Sequence, residues 1–523
     1  MRISHQFKDY CTERDISDSA PLSFFIPNKI GGMLFLDAKN DEMQYYAKIG
    51  GTVFKIIDNI NSEGKITAVK NRLHTLEIDR NDKKTEVFVP YFTNSMLIKS
   101  QQPMQINLDM KETEGKIQRK CTVTEKGGRI LVKSEKPNGK GAVFMAIQGE
   151  NLKYDHDKKK NVSSVYIYSP RISMSVSDNE EHAIKSADHM FSTEQEIRKV
   201  QDKYLDHSKQ FKSPEHAIAY SCVLNGTDGI FSQQNSEEPT VETEGFFSNA
   251  SRTHKTIAAA SVFMEGEFQS AKQALLGEVK KHLLIEDFDM AEAAWSTILF
   301  GRFLNNLCKA GQMKEYFSSN EIKDLAESIH KLAFMIRKEH KGNQQSYTSI
   351  DNHALVLSVN DLAYALTKSG VHIENDPALR DLLRNSLKQK QTSSINSDIG
   401  EIFMTAYIYP ALMQNEEWKK CFDGILTNGL KYDSDNISLG AIDLEPFGMS
   451  CISATVLHRM DAEHYKDHIS GIVDESVERT LYNGLVGRPT RNGKEAAGNK
   501  KGIIQDTHLL NNAFFLEMLR ECA

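Results

Sequence analysis

The hydrophobic period of this chain changes once, at Asp178, and that change orders its architecture. From about residue 25 to 177 apolar and polar residues alternate in short runs: KITAVKNRLHTLEID, TEVFVPYF, SMLIKS, MQINLDM, RKCTVTEKGGRILVKSEK, AVFMAIQG and SSVYIYSPRISMSVS. Gly-Gly, Pro-Asn-Gly and Asp-Lys separate the runs. A spacing of two sends alternate side chains to opposite faces of a strand, and turn residues between such runs return the chain antiparallel. The expectation is an N-terminal antiparallel β-sandwich over residues 1–177.

Beyond Asp178 the period becomes 3.6. Residues 178–211 are polar, with a thin apolar stripe at Ile184, Met190 or Phe191, Ile197, Val200 and Leu205. A helix of that kind bridges domains more readily than it fills a core, so residues 178–212 are expected to form a linker helix. Ser213-Pro214-Glu215 then carries a capping hydroxyl, a proline for the first helical position and a first-turn acid. Helices follow at about 213–224, 252–265, 267–283, 288–310, 320–340, 351–369, 376–388, 398–414, 415–429, 443–460, 462–483 and 505–521. In 267–283, Phe268, Ala271, Leu275, Val279 and Leu283 recur at helical spacing. Short connectors make neighbours antiparallel, and about twelve helices suffice for six stacked hairpins. The reading for 213–523 is an (α/α)6 toroid holding the catalytic domain.

A chain of 523 residues exceeds what one core serves, which supports two domains. A net charge of −7 argues against nucleic acid as a partner. MRISHQFKDYCTERD has no apolar signal region, and 18 consecutive apolar residues never occur, so no membrane association is expected and a cytoplasmic location is. Cysteines 11, 121, 222, 308, 421, 451 and 522 are scattered without a C-x-x-C pair, as buried free thiols would be. Phosphate-loop, dinucleotide, zinc-protease and nucleophile-elbow motifs are missing, so no cofactor and no metal are indicated. His464 and His468 lie four apart, where a metal pair competes with an ordinary polar surface.

Three stretches resemble the six-hairpin glycosidases, specifically the amylo-α-1,6-glucosidase, glycogen-debranching type. Glu244-Gly245-Phe246-Phe247 through Ser251-Arg252-Thr253 is similar to the loop that opens that family's second toroid helix. Ser349-Ile350-Asp351 resembles its Ser-x-Asp-Ala element, and Asp398-Ile399-Gly400-Glu401-Ile402 its Gly-x-x-x-Glu element. The chain departs at two places. Arg252-Thr253 stands for Arg-Asp, and Gln391-Thr392-Ser393-Ser394-Ile395-Asn396 stands where the family has Thr-Trp-Met-Asp with its proton-donating aspartate.

The resemblance implies an inverting glycoside hydrolase acting on α-glucan or other oligosaccharides. Such chemistry needs one carboxyl to protonate the leaving oxygen and another to activate water, about 6.5–9.5 Å away. Asp398 and Glu401, spaced i, i+3, share one helix face; alternatively Asp398 caps that helix and Glu401 closes the capping box. Asp443 and Glu445, in LGAIDLEPFGM, supply the opposing acids from a loop beside Phe447, or are first-turn acids of a helix. Phe247, Arg252, His254, Asp351, Asp506 and His508 are the substrate-binding candidates. Arg252 would grip hydroxyls with its fork, and Phe247 would stack on a sugar ring or staple the loop to the core. Asp351 and Asp506 are equally suited to capping. The loop GLVGRPTRNGKEAAGNKKG could close over a ligand with Arg488, Arg491 and Lys494, or remain solvated. Two other readings remain open: a catalytically lapsed relative that binds glycan or a partner, and another toroid sugar enzyme, such as an epimerase, that moves protons with histidines.

Overall fold

The computed structural model describes residues 1–7, 10–16, 23–112, 119–157, 163–204, 210–233, 317–324, 396–408, 410–427, 437–439, 442–444, 446–483 and 506–523, with isolated positions between 276 and 429. They belong to two compact units, Met1–Ser248 with Val477–Ile504, and Asn249–Ser476 with Gln505–Ala523.

The first unit is a β-sandwich. Its larger sheet runs, edge to edge, Lys120–Lys126, Arg129–Glu135, Val143–Gly149, Arg171–Ser177, Ser95–Ser100, Lys83–Phe88, Thr75–Arg80, Ile66–Asn71, Arg2–Phe7 and Tyr10–Asp15. The smaller runs Tyr154–Asp157, Ser163–Ile167, Met104–Glu112, Thr52–Asn61, Glu42–Ile49, Met33–Asp37 and Ser23–Pro27. Among the described pairs only Arg2–Phe7 beside Ile66–Asn71 is parallel, an exception to the antiparallel expectation. Gly127 and Gly128, both with positive φ, make the two-residue turn that joins Lys126 to Arg129. That turn suits the strand twist and excludes most side chains. Between the sheets, Ile3, Val69, Ile78, Met96 and Met174 meet Phe24, Leu34, Tyr45, Ile56 and Ile106 in one core. Each such side chain contributes about 1.5–3 kcal/mol by leaving water.

Helix α1 (Glu180–Tyr204) lies on the outer face of the larger sheet. In Arg129–Glu135, Ile130 and Val132 point into the sandwich while Leu131 points out beneath Ala183 and Ala187. In Ser95–Ser100, Met96 and Ile98 point in and Leu97 meets Met190. The expected stripe holds at Ile184, Met190 and Ile197, which pack on this face, and is corrected at Val200. Small alanines carry much of the contact, since they let the helix approach the sheet, whereas Val200 is 69% exposed. Leu205 lies outside the described residues.

A kink at Thr193 follows from side chains returning to the helix's own backbone. Ser192 Oγ donates to the Asp188 carbonyl at 2.9 Å and Thr193 Oγ1 to that of His189 at 2.8 Å. Just past the kink the buried Glu194 accepts from Lys99 Nζ at 2.6 Å, Arg198 Nε at 2.8 Å and an Arg171 terminal nitrogen at 3.1 Å. Burial works against its charge, but Lys99 and Arg198 overcome it and hold the carboxyl below the usual range. Replacing Glu194 by Ala leaves those cations facing one another. The expected cost is about 2 kcal/mol in urea unfolding, below the full buried-pair value because Lys99 keeps some solvent. A change under about 0.5 kcal/mol, the level of an ordinary surface site, would show that the cluster is ornamental.

Helix α2 (Pro214–Gln233) begins as its sequence predicts, with the Ala217 amide bonded to the Ser213 carbonyl at 3.2 Å. It packs against Ser23–Pro27, Tyr10–Asp15 and Arg2–Phe7. Of the cysteines, Cys421 and Cys451 are buried, but Cys11 is exposed, contrary to the expectation of buried thiols. Cys11 lies on Tyr10–Asp15, an edge strand of the larger sheet. Cys308 lies outside the described residues. No helix of the described residues is long and apolar enough to cross a membrane.

The second unit supplies α3 (Asn396–Ile408), α4 (Asn415–Thr427), a hairpin of Ile437–Leu439 and Ile442–Leu444, α5 (Pro446–Asp461), the start of α6 (Lys466–Asn483), and α7 (Asp506–Cys522). The helix expected over 398–414 ends at Ile408, ahead of Pro410, which cannot donate to a continuing helix.

Candidate functional site

Two kinds of helix alternate in the second unit. Helix α3 is buried from Ile399 to Tyr407, α5 from Phe447 to Leu457 save the half-buried Ser450, and α7 from Asn511 to Leu519. Helix α4 buries one face only, with Trp418, Cys421, Phe422 and Ile425 at i, i+3, i+4 and i+7. A helix apolar all round needs neighbours on every side, whereas a one-faced helix can cover such a layer from outside.

Side-chain contacts fix the directions. At the C-terminal end of α5, the Arg459 guanidinium lies 5.2 Å from the ring of Tyr407, at the end of α3, and donates to Glu517 of α7 at 2.7 Å. At its N-terminal end, Gly448 abuts α7 so closely that a Cβ there would stand 2.3 Å from Asn511 Oδ1. Matching ends meet, so α3, α5 and α7 run the same way. Helix α4 runs back, because Lys419 near its start pairs with Asp461 at the end of α5 at 2.8 Å.

The N-terminal ends of the three parallel helices carry the acids singled out in the sequence. Asp398 is in the first turn of α3, half-buried, and Glu401 is buried one turn on. Asp443 stands on the second strand of the hairpin, opposite Ser438, and α5 begins two residues after that strand. The first hairpin strand contacts α3 and the second contacts both α5 and α7. Asp506 and His508 are in the first turn of α7. For Asp443, Asp506 and His508 only the backbone is among the described placements. Glu445, Phe247, Arg252, His254 and Asp351 lie outside the described residues.

Two local expectations are corrected. Asp398 is not the cap of its helix, which begins two residues earlier at Asn396. Asp443 belongs neither to an open loop nor to a helical first turn; α5 starts at Pro446 and has no acid in its first turn. Ile-Ser-Leu and Ile-Asp-Leu each alternate with period two, as paired strands do. The arrangement is suited to holding bases and binding hydroxyl donors.

Sequence reasoning missed the other end of these helices. Tyr407 donates its hydroxyl to Glu517, and Arg459 bonds both Glu517 and Glu521. One signal was available: Glu517 is the only charged residue in the run AFFLEML, where a lone acid must find a partner. The exposed His464 does meet a carboxylate, with Nε2 3.1 Å from Asp423 Oδ1, and His468 is also exposed.

No protein-family model and no curated protein matches the sequence. Two solved structures share a loose likeness of shape. One, from the human microbiome, is described provisionally as a kojibiose phosphorylase; it is 8% identical, at a TM-score of 0.43, over 96% of this chain and 86% of its own. The other is the family 92 glycosyl hydrolase ccman5, 7% identical at a TM-score of 0.38, over 88% of this chain and 74% of its own. Agreement at that level identifies neither family nor chemistry.

Proposed function

We propose that this protein is a carbohydrate-active enzyme that hydrolyses α-glucan or related oligosaccharides with inversion, at the N-terminal end of α3, α5 and α7. In this reading residues 1–177 are the sandwich, 178–212 the link, and 213–523 a closed toroid of paired helices. The observation that carries it is the convergence of Asp398 and Glu401, the Asp443 hairpin, and the Asp506 and His508 turn at one end of parallel helices. Acids far apart in sequence are carried there on elements that touch one another, which suits water-mediated displacement at an anomeric carbon. Asp443 or Glu445 supplies one carboxyl and Asp398 or Glu401 the other. Phe247, Arg252, His254 and Asp351 complete the sugar subsites.

The test is release of reducing sugar from maltodextrin or glycogen, with Glu401→Gln, Asp443→Asn and Glu445→Gln beside the unaltered protein. Loss of a true acid or base lowers kcat about 10²–10⁴-fold while leaving the fold intact. If none of the three changes a measurable activity, the assignment fails. A second reading, a lapsed enzyme that binds glycan without cleaving it, is favoured by Gln391–Asn396, which lacks the aspartate of the family it resembles. Binding without turnover in the unaltered protein would select it.

A further inference from the structure

We infer that the side-chain amide of Asn512 is a further ligand-binding group, donating a hydrogen bond to a hydroxyl or ether oxygen of a neutral sugar. The inference rests on the site proposed above. Asn512 is 5% exposed, and its Nδ2 has no hydrogen-bond partner among the described residues. Buried donors are nearly always satisfied, so one left open calls for a partner the polypeptide does not supply.

Packing does not explain an amide at this place. Around it α7 buries Ala513, Phe514, Phe515, Leu516, Met518 and Leu519, and a leucine would serve a purely structural role as well. The neighbouring Asn511 is the residue pressed against Gly448 of α5. Asn512 is rotated about 100° further round the helix, away from that contact. It lies one turn beyond His508, in the same i, i+4 row, within the half of α7 that begins at the candidate site. The opposite half ends at Glu517 and Glu521, which are occupied by Arg459.

The ligand class follows from the group. An uncharged donor meets a hydroxyl or ring oxygen without the desolvation that a charged partner demands. Next to carboxylates at a helix N-terminus, a neutral polyol is the compatible ligand.

Asn512→Leu separates the roles. Maltotriose binding by calorimetry should weaken about tenfold or more, the effect of leaving a sugar oxygen without its donor. The melting temperature should hold or rise, since the unsatisfied donor is gone. Asn512→Ala, which loses the donor without adding bulk, reads binding the same way should leucine not be accommodated. Gln201→Leu is the control: that amide, in α1, is also buried with neither Nε2 nor Oε1 partnered, and its loss should leave maltotriose binding unchanged. Unchanged maltotriose affinity in both Asn512 variants overturns the inference alone. Failure of the unaltered protein to bind maltotriose overturns the proposed function, and this inference with it.

Discussion

Replacing Arg459 by Met is expected to cost about 2 kcal/mol of the second unit's stability, below the value for a fully buried ion pair because the Arg459 side chain keeps 30% of its surface in solvent. Arg459 donates to Glu517 Oε1 at 2.7 Å and, through Nε, to Glu521 Oε2 at 2.7 Å. Burial opposes its charge, but the carboxylates of Glu521 and Glu517 and the Tyr407 hydroxyl outweigh that and hold it firmly protonated. With methionine in place, the buried Glu517 loses its hydrogen-bonded guanidinium and keeps the Tyr407 hydroxyl. Thermal unfolding should move down by roughly 6 °C at 2–4 °C per kcal/mol. The double change Arg459→Met with Glu517→Leu should recover more than half of the loss, because apolar residues often replace buried pairs at little cost. A double variant as unstable as the single one would show that shape, not charge, makes this contact.

The two-fold division was legible because strands and helices write different periods into sequence. Alternation alone located Arg129–Glu135 and Ser95–Ser100, yet it did not reveal that Leu131 and Leu97 are buried on the other face, beneath α1. That requires knowing what covers the sheet. The stripe read along α1 favoured large residues and so passed over Ala183 and Ala187, whose value is closeness of approach. In the site region the acids were recognised one at a time, but their common end is a property of helix direction, set by contacts such as Gly448 against Asn511. Three-residue strands gave too short a window for period two to be distinguished from a helix start, and Asp443 was accordingly given the wrong element. Asn512 escaped notice because a single amide in an apolar helix becomes informative only once its lack of a partner is seen.

Acidification from pH 7 to about 4 is expected to remove about 3 kcal/mol of the first unit's stability through His5 alone. His5 is fully buried, and its Nε2 lies 2.9 Å from the Leu481 carbonyl, so Nε2 carries the proton. Nδ1 is then an acceptor. The Asn71 amide is fixed by its own oxygen accepting from the Leu73 N–H at 2.9 Å, which turns its Nδ2 toward Nδ1 at 3.4 Å. The Cys222 thiol, which burial pushes up to about 12 and so keeps protonated, approaches the same nitrogen at 3.8 Å. A second proton on the ring would face two donors. Burial first, and Arg14 to a lesser degree, lower the His5 pKa from 6.5 to about 4, against the opposing pull of the Leu481 carbonyl. Between those values the unfolded chain binds a proton that the folded one refuses, so stability rises with pH through the window. It is complete above about 6.5 and lost as pH falls to about 4, and 2.5 units at about 1.36 kcal/mol each give the stated loss. Urea unfolding followed at pH 7.5, 6.0 and 4.5 should show the slope, and His5→Gln, which can still donate to the Leu481 carbonyl, should flatten it. An equal slope in both proteins would mean that other groups carry the acid response and that this ring titrates normally.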